Sequence, residues 1–204
     1  MSYYKEHAKE FIEGTINCDM SKQYRFFEKY LNGKGTILDI GFGSGRDSLY
    51  FKSKGYDIYA IDPEDEFVNH GKALGLEHVY KLKAEDIEFN NMFDGIWACA
   101  SLLHISSKTL NTVFKKCSKA MKNNGVMYVS FKVGSFEGER NGRFFLDMTK
   151  KSLVKHLENS GLLLVETTVT DDVRPEKEEK WLNVILKKEI RMRDYGSQIK
   201  KNAR

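Results

Sequence analysis

Residues 36–47 read Thr-Ile-Leu-Asp-Ile-Gly-Phe-Gly-Ser-Gly-Arg-Asp, and no other stretch constrains the fold as strongly. Thr36 to Ile40 is a short, largely β-branched run and predicts a strand. Gly41, Gly43 and Gly45 follow at every second position. Asp47 to Lys54 then predicts a helix, with Leu49, Tyr50 and Phe51 apolar and Gly55 as its stop. Glycine at such a turn lets the backbone fold tightly and lets a ligand approach without meeting a β-carbon. The spacing is GxGxG, whereas the dinucleotide fingerprint is GxGxxG. Asp39 stands two residues before the first glycine. A carboxylate there repels a pyrophosphate and attracts the ammonium of an amino-acid-like ligand.

The alternation continues to the end of the chain. Asp57–Asp62, Val79–Leu82, Phe93–Ala98 and Val126–Phe131 read as further strands. Pro63 opens the helix after the second strand. A helix capped by Ser106 or Ser107 carries an apolar stripe of Leu110, Val113, Phe114, Cys117, Ala120 and Met121, with Asn123-Asn124-Gly125 as its expected end. Thr149–Asn159 reads as a helix. Leu162–Val169 and Trp181–Lys187 have no helix between them, so they should pair as an antiparallel hairpin. The first 34 residues read as two helices, the second capped by Asp19 or Ser21. The sum is an α/β three-layer sandwich. With 204 residues it reads as one domain: a helical lid at 1–34, a sheet domain at 35–188 and a basic tail at 189–204. Val133 to Asp147 reads as a loop.

Composition removes several classes. The net charge is +4, but Lys187–Arg204 alone carries an excess of five basic residues, so the body is slightly acidic. A surface built throughout for nucleic acid is therefore disfavoured. Cys18, Cys99 and Cys117 form no CxxC pair, which predicts neither a disulfide framework nor a metal site. No apolar run approaches the ~20 residues of a membrane span, and the start lacks a secretory h-region. The expected location is the cytoplasm, with no membrane partner.

Two acidic positions extend the glycine loop. Asp62 ends the second strand about twenty residues on, where a carboxylate can accept ribose hydroxyls. Asp86, in Ala84-Glu85-Asp86-Ile87, follows the third strand, where it can accept from an adenine amino group while Ile87 packs on the ring. With Asp39, these favour S-adenosylmethionine (SAM) over NAD.

On these residues the chain resembles the class I SAM-dependent methyltransferases. Asp39-x-Gly41-x-Gly43-x-Gly45 matches their motif I, Asp62 their ribose position and Asp86 their adenine position. Phe93 to His104 matches their motif IV region, in which Ala98 is expected at the cofactor. The resemblance spans about Tyr4 to Lys187. Within the superfamily the chain is similar to small, single-domain bacterial enzymes of the tellurite-resistance and ubiquinone-biosynthesis types. It implies a seven-stranded sheet of order 3-2-1-4-5-7-6 with strand 7 antiparallel, and SAM over the carboxyl ends of the first strands.

A sulfonium methyl is already activated, so alignment and exclusion of water suffice unless the acceptor carries a proton of high pKa. His104 is the candidate base, Lys132 and Arg143 are candidate contacts for an anionic acceptor, and Tyr4, with Tyr3 and Tyr24, belongs to the expected lid. Pro63 and Pro175 are the only prolines, so no [DNS]PP[YF] motif and no Pro-Cys pair exists, against two kinds of DNA methyltransferase. A small-molecule acceptor leads. The alternatives are an RNA methyltransferase using Lys200 and Lys201, or a non-catalytic SAM-binding regulator. The acceptor atom and the oligomeric state stay open.

Overall fold

The computed structural model describes residues 3–174 and 176–189. The helices α1 (Tyr3–Thr15) and α2 (Ser21–Glu28) come first. Then β1 (Thr36–Ile40), α3 (Arg46–Ser53), β2 (Asp57–Asp62), α4 (Asp65–Ala73), β3 (His78–Lys81) and β4 (Phe93–Ala98) alternate. They are followed by α5 (Ser107–Ala120), β5 (Met121–Lys132), β6 (Glu137–Arg140), β7 (Arg143–Leu146), α6 (Lys150–Leu157), β8 (Leu162–Asp171) and β9 (Lys180–Lys188). Short 3-10 turns occupy Ala84–Asp86 and Leu102–His104.

Seven strands form one sheet in the order β3-β2-β1-β4-β5-β9-β8. The first five are parallel, and β9 runs antiparallel to both β5 and β8. This is the expected order, with the last pair displaced in number by a hairpin, β6–β7, that makes a separate two-stranded sheet. That hairpin corrects the reading of Val133 to Asp147 as a loop. Its turn is Asn141-Gly142, with φ of 49° and 73°. Two successive left-handed residues match the twist of a tight hairpin, and Asn-Gly is the dipeptide that adopts them most readily.

The strand alternation divides the core between two faces. Ile37, Ile58, Trp97, Tyr128 and Ile185 pack under Tyr24, Phe27 and Phe51 of α2 and α3. Leu38, Ile96, Met127, Val129 and Leu186 pack against Leu110, Phe114 and Cys117 of α5 and Leu153 of α6. On the first face, Ala60 and Val79 continue the layer beneath Phe67 and Val68 of α4, with Ala8 of α1 above them. The central strands are covered on both sides, as parallel strands require.

Element ends depart from expectation for local reasons. The α5 helix stops at Ala120, because Met121 is fully buried and already pairs with Phe93. The register shift between Phe93 and Gly95 absorbs Lys122 to Gly125. At α2 the cap position falls on buried Met20, and Asp19 instead accepts from the Ser21 amide at 2.9 Å, closing the preceding turn. The α6 helix begins at a reciprocal Thr149–Ser152 cap (3.1 and 3.0 Å). The basic tail lies outside the described residues from position 190 onward. No described helix is long and apolar enough to cross a membrane.

Candidate active site

Two cavities of about 360 and 340 Å³ open along the carboxyl ends of the parallel strands. That edge is where an open α/β sheet takes its ligands. Gly41, Gly43, Ala100, Tyr4, Phe11 and His104 line both, so the glycine loop and the start of α1 form their common wall. Asp62 and Glu85 line only the smaller cavity; Lys132, Arg143 and Gln23 line only the larger.

The loop conformation requires glycine. Gly41 and Gly43 have φ of 68° and 51°, and a β-carbon would stand 2.6 Å from Ser101 Cβ and 2.8 Å from Phe11 Cε1. The room left by the missing side chains is thus filled largely by the protein's own walls, including Phe11 of α1. Gly45 belongs to neither cavity and packs against Leu74 of the α4 end.

Asp62 is 5% exposed and accepts from the amides of Gly43 (3.2 Å, Oδ2) and Glu64 (3.0 Å, Oδ1). Burial pushes its carboxyl up to about 6 against the pull of those two N–H groups. Each oxygen has a lone pair beyond its amide bond, which suits a pair of vicinal hydroxyls. In the same cavity Ser101 Oγ is buried with no hydrogen-bond partner among the described residues. Apolar Pro63, Phe67, Leu82, Leu102 and Ile105 supply the rest of the wall. An apolar slot with a dicoordinated carboxylate and an unpaired hydroxyl fits the nucleoside of SAM.

Besides Gly45, four expected cofactor residues stand off these walls. Asp39 is 2% exposed beneath the loop, where Oδ2 accepts from Ser48 Oγ at 2.6 Å. Burial and the neighbouring Asp47 raise its pKa. Asp86 is exposed, because the 3-10 turn presents Glu85 to the cavity in its place. Ile87 and Ala98 are turned into the large core beneath the sheet, Ala98 pairing with Val129; Ala100 reaches the site instead.

The expected acceptor-side residues do meet. The Tyr4 hydroxyl lies 2.8 Å from His104 Nε2, and His104 Nδ1 lies 2.6 Å from the Phe144 carbonyl oxygen on β7. A carbonyl only accepts, so Nδ1 carries the proton, and neutral His104 presents its Nε2 lone pair to the Tyr4 O–H. Burial and the nearby Arg143 and Lys132 charges lower the pKa of His104, whereas burial raises that of Tyr4. Arg143 Nη1 reaches the Tyr4 oxygen at 3.4 Å, and its guanidinium lies over the Tyr3, Tyr4 and Phe145 rings at 4.5, 5.7 and 5.1 Å. Arg143 has no carboxylate partner among the described residues, and its buried Nε is unpaired. Every other arginine lining this cavity is matched: Arg46 by Asp47, Arg140 by Asp147, Arg174 by Asp172. Lys132 is held by Glu179 at 2.7 Å.

Cys99 and Cys117 offer no nucleophile, because burial pushes both thiols up to about 12. Among the described residues no metal-binding cluster exists. The residues missed from sequence are Glu85, Ser101, Gln23 and the Phe144 carbonyl. Only the last carried a signal, the Asn141-Gly142 turn that fixes its hairpin.

A methyltransferase-domain family model matches residues 38–129, from the end of β1 through β5. An uncharacterized methyltransferase of Staphylococcus carnosus is 25% identical over 86% of this chain and 82% of its own length. Residues 38–129 thus carry a methyltransferase domain, and these likenesses support a SAM-dependent methyltransferase. As such a methyltransferase it uses SAM, and its reaction is methyl transfer. It is also 33% identical to the phosphoethanolamine N-methyltransferase of Plasmodium falciparum, over 49% of this chain and 40% of that one. Its fold resembles the 1,6-didemethyltoxoflavin-N1-methyltransferase of Burkholderia thailandensis, solved with 1,6-didemethyltoxoflavin and S-adenosylhomocysteine bound. The TM-score is 0.74 at 18% identity, covering 91% of this chain and 83% of that one.

Proposed function

We propose that this methyltransferase modifies a small molecule bearing an anionic group, bound in the larger cavity beneath the β6–β7 hairpin. The observation that carries the reading is Arg143. It is a cation on the cavity wall, ringed by aromatic faces, with a buried N–H unpaired and no carboxylate paired with it among the described residues. Leaving such a donor unpaired in a low-dielectric site is expensive, and a carboxylate or phosphate relieves it. The small-molecule ligands named for the Plasmodium and Burkholderia proteins are in keeping with an acceptor of this size.

SAM, when bound, supplies a methyl group already activated by its sulfonium centre. The chain's residues then have three tasks. Asp62, Glu85 and Ser101 hold the nucleoside, Asp62 taking hydroxyl protons on its free lone pairs. Arg143, with Lys132 at the mouth of β5, orients the acceptor. His104 Nε2, at the wall shared by both cavities, takes a proton from the acceptor atom by way of the Tyr4 hydroxyl, which donates its own proton to Nε2 as it accepts the acceptor's, while Nδ1–H is held by Phe144. The reading keeps residues 1–34 as a lid on the sheet domain 35–188 and places the protein in the cytoplasm of a bacterial cell.

The test is transfer of labelled methyl from SAM into a fractionated cell extract, with Asp62→Ala as the blank. Label in small anionic molecules supports the proposal. Label confined to RNA or protein removes it.

A further inference from the structure

Gln23, on α2, is a polar side chain held inside the protein without full use of its amide. It is 6% exposed, and its Oε1 is buried with no hydrogen-bond partner among the described residues. It lines the larger cavity. Burying an amide oxygen without a donor destabilises a chain, so an amide retained there calls for an occupant of the cavity.

Neighbouring bonds fix which end of the cavity it faces. Tyr24, the next residue, donates to Asp47 Oδ1 at 2.6 Å, and its ring stacks on Tyr50 at 3.7 Å. Arg46 Nη1 donates to the Thr15 carbonyl at 3.3 Å. Both contacts clamp the α1–α2 connection against the start of α3, directly after the glycine loop. Gln23 therefore belongs to the loop end of the cavity, away from the β6–β7 hairpin that carries Arg143.

The charges at that end are already satisfied. Arg46 is on Asp47 at 2.7 and 2.9 Å, and Asp47 also accepts from Trp97 at 2.8 Å. Asp39 is committed to Ser48 and stands off the wall. What the end offers is an unsatisfied neutral amide. An amide carries one acceptor and two donors, and an α-amino acid group carries ammonium donors and carboxylate acceptors on a single carbon. The match holds whichever way the amide is turned.

The two cavities give this group a route. Asp62 lines only the smaller, Gln23 only the larger, and Gly41 and Gly43 line both. A ligand with its nucleoside at Asp62 that crosses the loop emerges at Gln23. We infer that Gln23 holds the amino-acid end of SAM and so distinguishes the whole cofactor from its nucleoside fragment. This rests on the placement of the nucleoside at Asp62 proposed above.

Calorimetric titration with two ligands tests it. S-Adenosylhomocysteine carries the amino-acid end; 5′-deoxy-5′-methylthioadenosine keeps the nucleoside and sulfur and lacks it. The wild type is expected to bind the former at least tenfold more tightly. Gln23→Leu should weaken S-adenosylhomocysteine about tenfold and leave methylthioadenosine within twofold. Equal losses for both ligands, or no loss for either, overturn the assignment. A wild type that binds both equally overturns it without any variant, even if Gln23→Leu does not fold. A wild type that binds neither overturns the nucleoside placement along with it.

Discussion

Tyr4 and His104, a hundred residues apart in the chain, meet at 2.8 Å on the wall shared by the two cavities. The first residue comes from α1 and the second from the turn after β4, so the N-terminal helix forms part of the cavity wall. The Phe144 carbonyl fixes the proton on Nδ1, and the Nε2 lone pair accepts from the Tyr4 hydroxyl.

His104→Ala should lower turnover by on the order of 10², the lower range for loss of a proton-transfer group. Affinity for S-adenosylhomocysteine, read by calorimetry, should change little. A parallel loss of cofactor binding would move His104 to the cofactor side.

Acid should weaken the folded protein through the same residue. The folded pKa of His104 is depressed, so its contribution to stability is present above the unfolded value and fades as pH falls through the folded one. Denaturant midpoints measured between pH 8 and pH 5 should drop more for the wild type than for His104→Gln.

Asp62 predicts a pH dependence for cofactor binding. Its carboxyl titrates near 6, and the protonated form has fewer lone pairs for ribose hydroxyls. Affinity for S-adenosylhomocysteine should fall as pH drops below 6, and Asp62→Asn should bind weakly at every pH. The linkage for the unliganded protein has the opposite direction. A raised folded pKa stabilises the native state at low pH, and that contribution is lost as pH rises through 6.

Arg143→Met should raise KM for the acceptor tenfold or more while kcat falls less, since the cation binds rather than reacts. Steady-state kinetics on the labelled acceptor fraction reads both constants. Arg143→Lys should rescue only part of the effect, because a lysine lacks the planar donor set.

Tyr24→Phe should cost about 1–3 kcal/mol of stability. It removes one of the donors that satisfy the buried Asp47 carboxylate, at 2.6 Å. Urea denaturation at pH 7 would measure it, and an unchanged midpoint would mean that Arg46 and Trp97 alone suffice for Asp47.

The sheet was legible because its strands are apolar runs punctuated by glycine, and that pattern follows from burial on both faces. Tyr4, His104 and Arg143, which meet on the cavity wall, were legible as separate candidates, although nothing in the linear spacing joins them. On the wall of the smaller cavity the lining differs from the expected residues by one or two positions. Glu85 and Ala100 line it where Asp86 and Ala98 were expected, since the direction in which a short turn points its side chains is set by three-dimensional closure. Gln23 left no trace, because one polar residue on an amphipathic helix looks the same whether it meets solvent or a cavity. The β6–β7 hairpin was announced by Asn141-Gly142 and went unread, since its strands are only four residues each.

That hairpin has an evolutionary consequence. Adjacent residues of β7 contribute a side chain at position 143 and a main-chain oxygen at position 144. Point substitution can rewrite the former freely, while the latter survives any change of residue type. A change at that one codon would leave the carbonyl hold on the imidazole in place while removing a charge that adds to burial in lowering the pKa of His104. An insertion or deletion of a single residue in the strand would present a different carbonyl, or none, and silence the enzyme. Alleles of this methyltransferase should consequently vary in the letter at position 143 and hold constant in the length of the strand that carries it.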